Sequence, residues 1–147
     1  MTEQELFHLL ALQQVEGVGD IMAKKLITHC GSAEAVFKTK ISQLAGIDGI
    51  GSILIQNLKS KSVFEKAEQE LQFIKSNEIK VEYFQDENYP DRLKHCIDGP
   101  VLLFTSGNID LKNKKIISIV GTRQITSYGM EFCRKLIEDI APLNPVI

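Results

Sequence analysis

Residues 118–129 read "SIVGTRQITSYG", and this stretch decides the fold class of the C-terminal half of the chain. It begins within an apolar run, Ile116–Val120, which is typical of a strand buried on both faces of a parallel sheet. The run ends at Gly121, and a helical pattern follows from Tyr128 to Ile140. The stretch therefore predicts a strand-to-helix junction in a β-α-β unit. Open α/β sheets bind their ligands beyond the carboxyl ends of such strands.

The loop at this junction contains Gly121, Thr122, Arg123, Thr126 and Ser127. Gly121 permits a sharp turn, and Thr126 or Ser127 can cap the following helix. Hydroxyl groups and free N–H groups at a helix start bind anions, and Arg123 can grip a phosphate through two parallel hydrogen bonds. A capped turn with a surface arginine is the simpler interpretation, and it stays open. The stretch has neither the dinucleotide fingerprint G-x-G-x-x-G nor the nucleotide-binding P-loop.

The charge of the chain is distributed unevenly. The formal net charge of −2 gives no overall attraction to nucleic acid. Between residues 112 and 135, however, six basic residues stand against the single acid Glu131: Lys112, Lys114, Lys115, Arg123, Arg134 and Lys135. This local basic zone indicates an anionic ligand, although a solvated charged face would give the same pattern.

The composition is that of a globular protein, with 44% hydrophobic and 24% charged residues. No apolar run is long enough to cross a membrane, and no targeting peptide is recognised at the N-terminus. The three cysteines are widely spaced, which argues against a disulfide framework and favours the reducing cytoplasm. No spacing typical of metal ligands occurs, so neither a metal nor a cofactor is predicted.

The first sixty residues contain an internal repeat. Val15–Asp20 and Ile47–Ser52 both read apolar, acid, Gly, apolar, Gly, small polar, with an offset of 32 residues. Helical patterns flank both copies, as expected of one helical hairpin per repeat. Thr2 and Glu5 form a capping-box pair for the first helix. Further signals are a helix stop at Gly31 and caps at Ser32 and Ser52.

Gly-apolar-Gly between two helices resembles the helix-hairpin-helix motif, in which N–H groups at the start of the second helix can hold a phosphate. Such a motif would give the chain a second contact with DNA phosphate, besides the loop at Gly121. The candidate residues for it are Gly17, Gly19, Gly49, Gly51, Lys24 and Lys25. Glu16 and Asp48 would repel phosphate from the turns. A structural role, or docking of a partner, therefore stays open beside DNA contact.

Three segments follow from these patterns: a tandem helix-hairpin-helix domain over 1–60, a connecting helix over 61–78 and an α/β domain over 79–147. The connecting segment carries its apolar residues on one stripe of a helix. Beyond it, Ile79–Tyr83 and Val101–Phe104 are predicted strands, and Pro90 starts a short helix between them.

The second half of the chain resembles the DprA/Smf family, the DNA-processing proteins of bacterial natural transformation. The resemblance covers residues 80 to 147 and rests on Tyr89-Pro90 with Leu93, Asp98-Gly99-Pro100 before Val101–Phe104, Gly107, and Ile119–Arg123 with Thr126, Tyr128 and Gly129. Thr122 stands where serine is commoner in the family. The upstream helical segment is similar to the family's variable N-terminal domain.

The resemblance implies an extended Rossmann-like domain that binds single-stranded DNA and a protein that loads the RecA recombinase onto it. It implies no enzyme, and it implies self-association of the complete protein. By matching position, Gly121, Thr122, Arg123 and Thr126 would form part of the DNA-phosphate pocket. Because the family's next glycine-rich motif is not reached before Ile147, we expect the chain to be the N-terminal part of such a protein.

Two other functions stay open. A nucleotide- or phosphosugar-binding enzyme on a related Rossmann-like fold would use the same loop. A scaffolding or dimerising role would need no ligand. The basic zone and the doubled hairpin favour DNA, and no paired acid and base residues stand near Gly121 to favour an enzyme.

Overall fold

The computed structural model of the chain describes residues 1–107 and 115–147, which are mostly helical with one small antiparallel sheet. Contacts divide the chain into two units, Met1–Gly107 and Asn108–Ile147, which are described separately below. The domain boundaries predicted at residues 60 and 78 stay predictions. None of the helices in the described ranges has the length and apolar character needed to span a membrane.

The first unit contains seven helices and both strands of the sheet. The helices are α1 Glu3–Gln13, α2 Asp20–Cys30, α3 Ala33–Lys38, α4 Ile41–Leu44, α5 Ser52–Leu58, α6 Ser62–Ser76 and α7 Asp91–Lys94. Strands β1 Lys80–Tyr83 and β2 Leu102–Thr105 flank α7 and pair antiparallel, with Lys80 opposite Thr105 and Tyr83 opposite Leu102. The two strands, the connecting helix and the short helix after Pro90 were all predicted. Helix α4 was not.

The helix ends follow from their capping residues. The capping box at α1 is confirmed, because the Thr2 Oγ1 accepts from the Glu5 N–H at 3.2 Å and the Glu5 carboxylate accepts from the Thr2 N–H at 2.6 Å. Gly31 ends α2 in the left-handed region with φ 95°, and Ser32 caps α3. The cap predicted at Ser52 is wrong: Gly51 is the N-cap of α5, and Ser52 is the first helical residue. The hairpin turn ends at its second glycine, Gly51, and this glycine therefore takes the N-cap position.

One apolar core joins the helices of the first unit to its sheet. Helix α6 packs on α1 and buries Ala67 and Leu71, while Val101 and Leu102 from the sheet segment enter the same cluster. Burial of a leucine side chain contributes roughly 1.5–3 kcal/mol. The connecting helix is therefore a structural member of this core and not a bare linker.

The second unit contains a parallel β-bridge between Ile116 and Val146. The Ile117 N–H donates to the Val146 carbonyl at 2.9 Å, and the Val146 N–H donates to the Lys115 carbonyl at 2.8 Å. The prediction of a buried strand over Ile116–Val120 is wrong beyond this bridge, since Val120 is 92% exposed. A strand needs ladder partners along its length, and among the described residues Val146 supplies only this one bridge.

Helix α8, Ser127–Ile140, connects the two bridging segments and is followed by a 3₁₀ helix, Ala141–Leu143. The predicted helix is confirmed to within one residue. Its apolar residues Cys133, Leu136 and Ile140 are only half-buried. Met130 on the same helix is 59% exposed.

Candidate nucleic-acid interface

The loop between the β-bridge and α8 is organised by two threonine hydroxyls. Thr126 is the N-cap of α8, and its Oγ1 accepts from the Gly129 N–H at 3.1 Å. The Thr122 Oγ1 donates to the Gln124 carbonyl at 2.7 Å. Of the two residues predicted as caps, Thr126 is the N-cap, and Ser127 is the first helical residue. These two short-range bonds give the loop a defined shape.

All the predicted loop residues, from Gly121 to Ser127, are exposed. Within the described ranges, no carboxylate lies within ion-pair distance of the Arg123 guanidinium. The first N–H groups of a helix have no acceptor within the helix, and at α8 the Thr126 cap satisfies only the third. The loop thus carries an exposed cation and three hydroxyl groups, and it leads into the positive end of a 14-residue helix.

The wider basic zone is described only in part. Lys112 and Lys114 lie outside the described residues. Lys115 and Lys135 are exposed, while Arg134 forms an ion pair with Glu138 at 3.2 Å. Arg123 is therefore the arginine of this zone that a ligand can reach without first displacing a carboxylate.

The two repeats in the first unit form the same backbone turn. Gly17 and Gly49 have φ values of 88° and 86°, a region that side chains other than glycine rarely adopt. In each copy the apolar residue after this glycine donates its N–H to the carbonyl three residues earlier, at 3.0 Å in the first and 3.1 Å in the second. Gly19 and Gly51 are both N-caps. The sequence repeat is thus a repeat of backbone geometry.

Reciprocal contacts join the two copies. The Lys25 ammonium donates to the backbone carbonyl of Asp48 and lies 3.1 Å from its carboxylate. At the positions 32 residues away, the Asn57 amide donates to the Glu16 carbonyl at 3.0 Å. Each second helix therefore holds the turn of the other copy, with pseudo-two-fold symmetry. Lys25 is engaged in this contact and is not presented freely to a phosphate.

Lys24 and Asp20 are engaged elsewhere in the same unit. The Lys24 ammonium donates to the Cys96 and Ile97 carbonyls at 3.3 and 3.2 Å. The Asp20 carboxylate accepts from the Val101 N–H at 2.8 Å. The start of α2 thus holds the segment between α7 and β2 through both of these side chains. The sequence offers one signal of the Asp20 contact: Ser52, the equivalent residue of the second repeat, carries no charge.

Tyr89 organises the same segment from the other side. Its side chain is fully buried, and its hydroxyl donates to the Pro100 carbonyl at 2.6 Å. Burial raises the pKa of the Tyr89 hydroxyl, which keeps it a donor. A Cβ at Gly99 would lie 2.7 Å from the Leu93 carbonyl oxygen, so only glycine is accommodated there. These motif residues hold the backbone in place and present no functional group to a ligand.

The structure thus separates the candidates by unit. The loop residues Gly121, Thr122, Arg123, Thr126 and Ser127 lie together in the second unit, and the hairpin candidates lie in the first. No cluster of His, Cys, Asp and Glu that could hold a metal ion occurs in the part of the chain that the structure describes.

Comparison with known proteins identifies relatives of this chain. The family described as DNA recombination-mediator protein A matches residues 80–147. Protein Smf of Synechocystis sp. is 27% identical over 143 residues, which cover 92% of this chain and 35% of that protein. The DNA processing protein DprA of Streptococcus pneumoniae is 36% identical over 55 residues, which cover 37% of this chain and 20% of that protein. The chain thus spans about a third or less of the length of these two relatives.

Proposed function

Through residues 80–147 the chain belongs to the DprA/Smf family of DNA-processing proteins, and from this premise we propose that it binds single-stranded DNA through the loop Gly121–Ser127. The observation that carries the proposal is the exposed Arg123, four residues before the first helical residue of α8. An exposed arginine and the free N–H groups of a helix start are the chemical groups that bind phosphate in proteins.

The loop binds DNA through phosphate oxygens. Arg123 provides two parallel hydrogen bonds and a charge that burial or pH does not remove. The Thr126 side chain is committed to its cap, so its part is to fix the helix start, while the Ser127 hydroxyl is exposed and can donate. Gly121 allows a close approach of the backbone, since no atom lies within 4 Å of a Cβ built there. Contacts of this kind position a strand without reading its bases.

The proposal extends to the parts of the fold. We assign the first two hairpins, residues 1–60, to a tandem helix-hairpin-helix domain, residues 61–78 to a connecting helix and residues 79–147 to part of a Rossmann-like domain. The shared turn geometry supports the first assignment, and the parallel bridge on either side of α8 supports the last. The protein acts without catalysis, as a recombination mediator in the cytoplasm that delivers DNA to RecA and associates with itself.

The test is a titration of fluorescent oligo(dT) with the wild-type chain, Arg123→Ala and Arg123→Lys at two salt concentrations. Arg123→Ala should weaken binding by about 1–3 kcal/mol, because a charged hydrogen-bonding group is lost. Arg123→Lys should recover only part of this, since an ammonium lacks the planar fork. Arg134→Ala is the matched control, because that arginine belongs to the same unit but is paired with Glu138. Equal affinity of Arg123→Ala and the wild type at both salt concentrations contradicts the proposal.

A further inference from the structure

Two junctions between helices of the first unit carry the same short pattern. Residues 38–40, which span the last residue of α3 and the connection to α4, read "KTK", and residues 59–61 between α5 and α6 read "KSK". All four lysines are exposed. The pattern recurs at an offset of 21 residues, so it is independent of the 32-residue hairpin repeat.

An aromatic contact holds the two junctions side by side. Phe37 directly precedes the first junction and Phe64 follows the second, and their ring centroids lie 4.9 Å apart with an interplanar angle of 55°. On the other sides of the junctions, Leu44 and Leu58 enter the same apolar core. The residues that flank both junctions are therefore anchored in the core, and the lysine side chains are exposed to solvent.

The charge of these junctions is not neutralised within the unit. Lys38 pairs with Glu34 at 2.6 Å, and this contact lowers the pKa of the Glu34 carboxyl. Lys40, Lys59 and Lys61, which we call the junction lysines, form no ion pair with any residue in the described ranges. These two junctions thus carry three exposed and unneutralised positive charges on a chain whose net charge is −2.

Helix stability does not explain the placement of these lysines. A cation interacts favourably with the C-terminal end of a helix, and this accounts for Lys59 at the end of α5. Lys61, in contrast, is the N-cap of the 15-residue helix α6, where a cation opposes the helix dipole and provides no side-chain cap. Lys40 is the N-cap of α4 in the same way. Neither capping nor the helix dipole therefore accounts for a lysine at these two positions.

We propose that the junction lysines are a second contact surface for the phosphate backbone of single-stranded DNA. The inference rests on the proposed function. It places the DNA contact of the helical unit at the two junctions and not at the hairpin turns, where Lys24 and Lys25 are engaged. Phe37 and Phe64 are half-buried against one another and against Phe7 and His8, so base stacking is not part of the contact. Binding here is insensitive to base sequence and weakens with salt.

The experiment compares two triple variants of the 147-residue chain in oligo(dT) binding between 50 and 200 mM salt. One is Lys40→Gln with Lys59→Gln and Lys61→Gln. The control is Lys75→Gln with Lys80→Gln and Lys94→Gln, which changes the net charge equally at exposed positions of the same unit. Each phosphate contact on a single strand contributes about 0.7 to the slope of log affinity against log salt, so removing three should reduce the slope by about 2. Across this fourfold change in salt, wild type and control should lose about 20-fold more affinity than the junction variant.

Arg123→Ala, titrated in parallel, separates this inference from the proposed function. If Arg123→Ala weakens binding and the junction variant keeps the wild-type slope, the second surface is refuted while the loop site stands. If only the junction variant changes, the loop site fails and the junction surface stands. An unchanged slope with all variants, no oligo(dT) binding at 50 mM salt, or junction-dependent binding of polyglutamate but not of oligo(dT) overturns the inference.

Discussion

Replacing Asp20 by alanine should detach the sheet segment from the first hairpin. The Asp20 carboxylate accepts from the Val101 N–H at 2.8 Å, and Val101 is only 1% exposed. Without this acceptor the N–H stays buried, because the residue cannot turn to water without leaving the core. Asp20→Ala therefore leaves a buried donor unsatisfied, and this is the costly way to lose a hydrogen bond.

The size of the effect follows from two contributions. An unsatisfied buried donor costs about 1–3 kcal/mol. Asp20 also lies in the first turn of α2, where a carboxylate interacts favourably with the helix dipole by about 0.3–1 kcal/mol. Asp20→Ala should thus lower the free energy of unfolding by about 1–4 kcal/mol. Asp20→Asn keeps an acceptor oxygen and should lose distinctly less.

Urea unfolding monitored by circular dichroism measures the stability, and hydrogen exchange measures the Val101 amide directly. The matched control is Ser52→Ala, because Ser52 occupies the equivalent position of the second repeat and is exposed. Ser52→Ala should change the stability by no more than about 0.5 kcal/mol. If Asp20→Ala unfolds at the same urea concentration as Ser52→Ala, or if the Val101 amide keeps its protection, the first hairpin does not hold the sheet segment.

Two further predictions concern the tyrosines of the first unit. Tyr89→Phe removes the hydroxyl that donates to the Pro100 carbonyl at 2.6 Å and should lower the free energy of unfolding by about 1–2 kcal/mol in urea titrations, while an unchanged midpoint would show that water replaces this bond. Burial, with the neighbouring Asp86, raises the pKa of Tyr83 from 10.0 to about 12. Because the folded state holds this proton more tightly than the unfolded state, the protonated Tyr83 hydroxyl stabilises the fold. This stabilisation is complete below pH 10 and is lost as pH rises toward 12. Between pH 10 and 12 the free energy of unfolding should fall more steeply with pH for the wild type than for Tyr83→Phe. Equal pH dependence of the two proteins would contradict the raised pKa of Tyr83.

Local signals in the sequence predicted local structure well. The capping box at Thr2, the left-handed stop at Gly31 and the cap at Thr126 each depend on atoms within four residues, and all three are present. The glycine pattern of the repeat likewise predicted two matching turns. Such signals act over short distances, so neighbouring residues carry enough information to specify them.

Properties set by distant residues were not predicted. Ile116–Val120 has the composition of a buried strand, but composition states only that the segment can be buried, and here Val120 is largely exposed. Lys24 looked available to a phosphate because its acceptors at Cys96 and Ile97 lie more than 70 residues away in sequence. The charge of a side chain can be read from the sequence, but its availability depends on the fold.

The two hairpins show how one backbone can serve different purposes. Both copies share a glycine in the left-handed region, a glycine N-cap and a reciprocal hold on the other turn. They differ at the start of the second helix, where the first copy has Asp20 and Lys24 and the second has Ser52 and Gln56. Only the charged pair binds the segment before β2. Because the turn itself is identical in both copies, the side chains that follow it, and not the Gly-apolar-Gly pattern, determine what each hairpin binds. A doubled hairpin is therefore evidence of a paired helical scaffold, and evidence of DNA contact must come from cations that the scaffold leaves unpaired.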